Sequence, residues 1–146
     1  MDVNQARQFI VDFIEVIWNQ QQFDQLNTYL HPNYIDHSLP TALPADRFGL
    51  VQWIQATSRS FSHRTIIEDQ VTEINKTILK VNMEMIHVGE WRGIEATGAQ
   101  VSTGGYRCYR LMDEKIIGHW AMIDGTGLED SLRQQAPVGC KIPVRQ

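Results

Sequence analysis

The hydrophobic period of this chain changes once, near Arg64, and that change limits the folds open to it. Before it, apolar residues recur every three or four positions, as on one side of a helix. After it they alternate, as on one face of a strand. Helices first and strands after make an α+β arrangement, with helices packed on one face of a curved, mainly antiparallel sheet. A sheet curved in this way is expected to form a cone with an open mouth, and pockets in such folds lie inside the cone.

The first half is predicted to hold three helices. Residues 3–20 place Ala6, Phe9, Ile10, Phe13, Ile14 and Ile17 at helical spacing. A short helix follows with Phe23, Leu26 and Leu30, ended by His31-Pro32 because a residue before proline is pushed out of helical geometry. Tyr34 to His37 reads as a short strand. A third helix runs from about Pro44 to Phe61, with Phe48, Val51, Ile54 and Phe61 on one stripe and Trp53 beside them.

Four longer strands are predicted after it: Arg64 to Ile74, Thr77 to Val88, Gln100 to Met112 and Lys115 to Ile123. The second puts Leu79, Val81, Met83, Met85 and His87 on one face and Lys80, Asn82 and Glu84 on the other. Asn75-Lys76 and Asp113-Glu114 are the turns. Gly104-Gly105 inside a strand marks a bulge or close packing. A short helix is expected over Leu128 to Gln134.

The 146 residues suit one domain, 1–146, with one core. Thirteen basic residues against 17 acidic ones give a net charge of −4, with no basic patch, so nucleic acid is not an expected partner. No apolar run reaches membrane-spanning length. The opening M-D-V-N-Q-A-R-Q lacks a basic segment followed by an apolar one, so no secretory leader is expected. Cys108 and Cys140 match no zinc or redox spacing and read as free thiols in a reducing cytoplasm. The five histidines are scattered without paired metal spacing, so no metal is expected. There is no phosphate-binding glycine loop and no serine nucleophile elbow.

Several local phrases, in order, resemble the SnoaL-like polyketide cyclase family, whose fold is that of nuclear transport factor 2. They are W-N-Q at Trp18 to Gln20, H-P-N-Y-I-D-H at His31 to His37, H-V-G-E-W-R-G-I-E-A-T-G at His87 to Gly98, and K-I-I-G-H-W at Lys115 to Trp120. The resemblance covers nearly the whole chain. It implies a cone-shaped α+β barrel with its helices on the concave face. It also implies a homodimer paired through the outer face of the sheet, and cofactor-free chemistry on a small hydrophobic carbonyl compound. Relatives close a polyketide ring by aldol condensation, using an aspartate in the last strand and a histidine one strand earlier. Those two positions hold Ala121 and Arg107 here. Alanine moves no proton and arginine only donates, so the family's mechanism does not transfer intact.

His119 is then the leading proton-transfer candidate, since imidazole titrates near pH ~6.5. Alternation places it on the same side as Ile117 and Ala121. It is either the proton carrier or a core histidine satisfied by one hydrogen bond. Arg107, if inward, needs an anionic partner: a substrate enolate or carboxylate held electrostatically, or an internal salt bridge to Asp36 or Glu84. Asp124 is the nearest carboxylate to the gap at Ala121, yet it reaches the pocket only if the strand bulges or ends there; otherwise it is a turn residue before Gly125.

Asp36 and His37 point opposite ways as strand neighbours, so one of them faces inward. His37 is a candidate to hold a substrate oxygen, and His87 continues an apolar row. Tyr34, Trp53, Trp91 and Trp120, with Trp18 and Tyr106, are candidates for an aromatic wall. Two functions remain open: a cyclase-like lyase or isomerase, or a ligand-binding or structural dimer module that has lost the family's carboxylate.

Overall fold

A computed structural model describes residues 1–135. Cys140 lies outside the described residues. The elements follow the predicted order: α1 (Val3–Phe13), α2 (Leu26–Tyr29), β1 (Leu30–Asp36), α3 (Arg47–Ser60), β2 (Phe61–Thr72), β3 (Lys76–His87), β4 (Gln100–Met112), β5 (Lys115–Ile123) and α4 (Gly125–Gln134).

The five strands form one sheet in the order β1-β5-β4-β3-β2. It has two edges, so the expected barrel is not closed. The pairs from β2 to β5 are antiparallel, but β1 runs parallel to β5. That parallel pair needs a long crossover, and three strands and a helix supply it. Pro32 is tolerated in β1 because β1 is an edge strand.

Helix α1 starts with a reciprocal cap. The Asp2 carboxylate accepts the Gln5 amide at 2.8 Å and the Gln5 side chain accepts the Asp2 amide at 2.8 Å. Its apolar stripe buries Ala6, Ile10 and Phe13 completely. The Phe13 ring meets Tyr109 of β4 edge-on at 5.7 Å, which fixes the helix against the sheet. Full burial of a side chain of this size contributes roughly 1.5–3 kcal/mol.

From Ile14 to Asn19 the helix widens to a π-helical turn. Such turns cluster at functional sites. Here the turn brings Asn19 onto β2, where its side-chain amide accepts the Thr65 N–H at 2.8 Å and donates to the Thr65 carbonyl at 3.0 Å. The neighbouring Trp18 is thereby held against the sheet, 1% exposed.

Helix α3 departs from the predicted stripe. Asp46 caps it by accepting from the Phe48 and Gly49 amides. The buried side is Gly49, Leu50 and Ile54, while Phe48 is 67% exposed in the first turn. Gly49 is required, since a Cβ there would lie 1.7 Å from the Pro44 carbonyl oxygen.

Strand β3 buries Leu79, Val81, Met83, Met85 and His87, as its alternation predicts. In β4 the inward residues are Arg107, Tyr109 and Leu111, paired with Ala121, His119 and Ile116 of β5. The register shifts between Arg110 and Leu111, so Ile117 is an extra residue on β5. The bulge turns Ile116 inward in place of Ile117, which had been expected beside His119. Gly104-Gly105 keeps regular pairing and marks close approach, because a Cβ on Gly105 would lie 2.3 Å from the Met122 carbonyl oxygen.

Candidate active site

Parallel pairing of β1 with β5 sets Asp36 beside His119. Antiparallel pairing of β4 with β5 sets Arg107 beside Ala121 and Tyr109 beside His119. Three strands distant in sequence thus bring a carboxylate, an imidazole and a guanidinium into one line, with Asp36 and His119 2% exposed and Arg107 3% exposed.

The Asp36 Oδ2 lies 2.8 Å from His119 Nδ1, and His119 Nε2 lies 3.3 Å from Arg107 Nη1. A guanidinium has only donors, so Nε2 accepts and carries no proton. The neutral imidazole therefore holds its proton on Nδ1 and donates it to Asp36. An acid that fixes the tautomer of an imidazole in this way is the arrangement of a catalytic triad's acid and base.

Asp36 is fully engaged. Its Oδ2 also accepts the Tyr34 hydroxyl at 2.9 Å, and Oδ1 accepts the Ser38 amide at 3.0 Å and hydroxyl at 2.7 Å. Burial by itself would raise the carboxyl, but the donors from His119 and Ser38 prevail and hold it down at about 2. His119 goes the other way: burial lowers it, the Arg107 charge adds to that, and Asp36 opposes without reversing it. At neutral pH the line reads carboxylate, neutral imidazole, guanidinium.

Two rings brace the line. Tyr109 stacks on His119 with centroids 4.6 Å apart and 21° between planes. Trp18 underlies Arg107, whose Cζ stands 4.3 Å from the indole centroid. Burial pushes the Tyr109 and Tyr34 phenols up, so both stay protonated.

The line opens on two cavities. The smaller, about 420 Å³, is lined by Asp36, Arg107, His119, Ala121, Trp18 and Trp53, among others. The larger, about 630 Å³, has walls that include Phe61, Met83, Met85, Trp91 and Leu128. Trp18, Trp53, Arg107 and Ile123 line both, so Arg107 stands where they meet. Ala121 leaves room beside it that a longer side chain would fill.

The remaining candidates are dispersed. Asp124 is the N-cap of α4, its carboxylate accepting the Gly127 amide at 2.8 Å. His37 stacks on Trp120 with planes 3° apart, and Trp120, like Tyr106, is half exposed on the other face of the sheet. Alternation explains this: Trp120 follows His119 and must face away. His87 is fully buried and bonded to Thr97 at 3.1 Å. Neither His87, His37, Tyr106 nor Trp120 lines the two cavities. Tyr34 supports Asp36, while Trp53 and Trp91 line cavity walls.

Ser38 and His63 were not singled out by sequence. His63 stands edge-on to Trp18 at 6.3 Å and its Nε2 lies 3.0 Å from the Ser58 hydroxyl. Burial, helped by the Arg107 charge, lowers it. Its inward position was available from the Phe61, His63, Thr65 alternation on β2. Among the described residues no group of three His, Cys, Asp or Glu side chains is placed to hold a metal ion.

An α+β fold whose sheet carries a buried acid–imidazole–guanidinium line against paired cavities defines a pocket protein suited to proton chemistry. The sequence profile of the SnoaL-like polyketide cyclases matches residues 8–132. The chain belongs to that family, which supports a cyclase-like activity.

Solved structures agree in fold. TsrD from Streptomyces laurentii is 23% identical, with a TM-score of 0.79 over 90% of this chain and 97% of its own. IdmH from Streptomyces antibioticus is 22% identical, with a TM-score of 0.79 over 88% and 99%. A SnoaL-like polyketide cyclase from Agrobacterium tumefaciens is 16% identical, with a TM-score of 0.72 over 87% and 97%. No curated protein sequence matches the chain.

Proposed function

We propose that the protein is a cofactor-free, cyclase-like enzyme, a lyase or isomerase in type, acting on a small hydrophobic compound with an enolisable carbonyl group. The observation that carries this reading is the Asp36–His119–Arg107 line on the cavity wall. In the first step His119 Nε2 takes a proton from the carbon next to a carbonyl. The C–H electron pair moves to the carbonyl oxygen, and the Arg107 guanidinium holds the resulting enolate. Asp36, a positioning residue, balances the imidazolium. In the second step the enolate carbon bonds to another carbonyl carbon of the same molecule, whose oxygen takes the proton back from His119. Atoms and charge balance without an added reagent.

The chemistry differs from that implied by the family's aspartate, because the base is displaced from position 121 to position 119. A cone-shaped sheet around the cavity and a cytoplasmic location fit this reading. So does pairing of two copies through the outer face of the sheet. There Ile78, Tyr106, Cys108, Trp120 and Met122 lie next to one another by strand register, and the four large hydrophobic ones are each more than 40% exposed.

A second reading has its own support. With Nε2 occupied by Arg107 and no carboxylate at position 121, the pocket would bind its ligand without turning it over. Exchange of α-protons for deuterium separates the two. Under the first reading, a β-keto ester incubated with the protein in heavy water exchanges faster than the buffer rate, and His119→Ala abolishes the excess. An unchanged rate in His119→Ala overturns the assignment of His119.

A further inference from the structure

Resting on the reading just given, we infer that the ligand is an organic acid bound as its carboxylate, with an apolar ring body, and that its carboxylate draws Arg107 away from His119.

Arg107 is a cation 3% exposed, with no counter-ion in contact among the described residues. It forms no salt bridge with Asp36, with Glu84, or with any other carboxylate among the described residues. Its Nη1 donates to a neutral imidazole and its buried Nε has no partner among the described residues. Asp36 is no substitute, since its two oxygens already receive four donors. A charge buried in this state is costly, and a carboxylate that accepts two of its N–H groups side by side relieves the cost. The indole face of Trp18 stabilises the cation but fills none of its hydrogen-bonding capacity.

The surroundings have the same preference. The charged residues lining the larger cavity are Arg59, Arg92 and Arg107 against Glu90; with Arg92 paired to Glu129 the balance is still positive, in a chain whose net charge is −4. A positively biased cleft on an acidic protein concentrates anions. The rest of that wall, Trp18, Trp53, Phe61 and Trp91 included, suits flat apolar rings.

The second half of the inference concerns access to the base. Arg107 Nη1, 3.3 Å from His119 Nε2, covers the lone pair on that nitrogen. A carboxylate is a stronger acceptor than an imidazole for the same N–H, so its binding moves the guanidinium and uncovers Nε2. His119 is faced by Asp36 and His37 from the β1 side, by Arg107 and Tyr109 from β4. Of these, Arg107 is the group that a ligand at the cavity junction displaces.

The test is titration of the full chain with naphthoate and with its methyl ester, followed by tryptophan fluorescence and by the His119 ring nitrogen resonances. The acid should bind about tenfold or more tightly than the ester, and it alone should shift Nε2. Arg107→Met should lose the preference while still binding the ester; Arg107→Lys should keep part of it. Equal binding of acid and ester by the native chain overturns the inference, whatever the fate of the variants. So does a preference that survives in Arg107→Met. Neither measurement needs turnover, so α-proton exchange lost in His119→Ala leaves the proton role standing even if this inference falls.

Discussion

Asp36→Asn isolates the residue on which the line depends. All four groups around the carboxylate donate: the Tyr34 hydroxyl, His119 Nδ1, and the Ser38 amide and hydroxyl. An amide replaces one oxygen by an NH2 group, so one pair of partners now faces a donor; the hydroxyl in that pair can turn to accept, whereas the Ser38 amide or the His119 Nδ1–H cannot. If the pair is Tyr34 and His119, the imidazole must move its proton to Nε2, where it meets Arg107 Nη1 instead. A buried donor left unmatched costs about 1–3 kcal/mol, which is the loss expected for the variant. Linkage offers a second handle. Asp36 falls from the ordinary 3.8 to about 2, a gap of about 2 kcal/mol. A depressed carboxyl contributes stability above its unfolded value and loses it as pH falls through its folded value. Urea unfolding of the native chain should therefore lose about 2 kcal/mol from this group between pH ~5 and ~2, and Asp36→Asn should lack that component. A variant within about 0.5 kcal/mol of the native chain at neutral pH, or one with an unaltered acid slope, would refute the reasoning.

Two other outcomes follow from the packing and the buried imidazoles. His119 and His63 are both lowered, chiefly by burial. Below pH ~6.5 the unfolded chain takes up protons that the fold refuses, so urea midpoints should fall from pH ~7.5 to ~5; a level midpoint contradicts this. Phe13→Ala removes a fully buried ring that touches Tyr29 and Tyr109. Its cost in thermal or urea unfolding should be about 3–5 kcal/mol, and a loss below about 1 kcal/mol would mean that the helix contact is not part of the core.

Much of the sheet was legible because alternation is a local property. Gln100–Met112 and Lys115–Ile123 have the bounds that their pattern predicts, and Arg107 and His119 both face inward. What the pattern could not carry was pairing between distant strands. Asp36 and His37 were weighed against each other as neighbours, whereas the parallel register of β1 on β5 decides the matter by bringing Asp36 to a histidine 83 residues away. The bulge at Ile117 is likewise invisible to a strict period of two, and it inverts the face of Ile116. Asp124 illustrates the limit of proximity in sequence: it ends a strand near the cavity, yet the next helix takes its carboxylate as a cap. The π turn that seats Trp18 under Arg107 reads in sequence as an ordinary continuation of α1.

The protonation state of His119 is the most direct measure of the account. Long-range nitrogen–proton NMR of the ligand-free protein at neutral pH should find one ring nitrogen, Nδ1, carrying a proton and Nε2 without one, and this neutral form should persist on acidification below the usual imidazole range. A proton on Nε2, or an imidazolium at neutral pH, would contradict the donor order from Arg107 through His119 to Asp36.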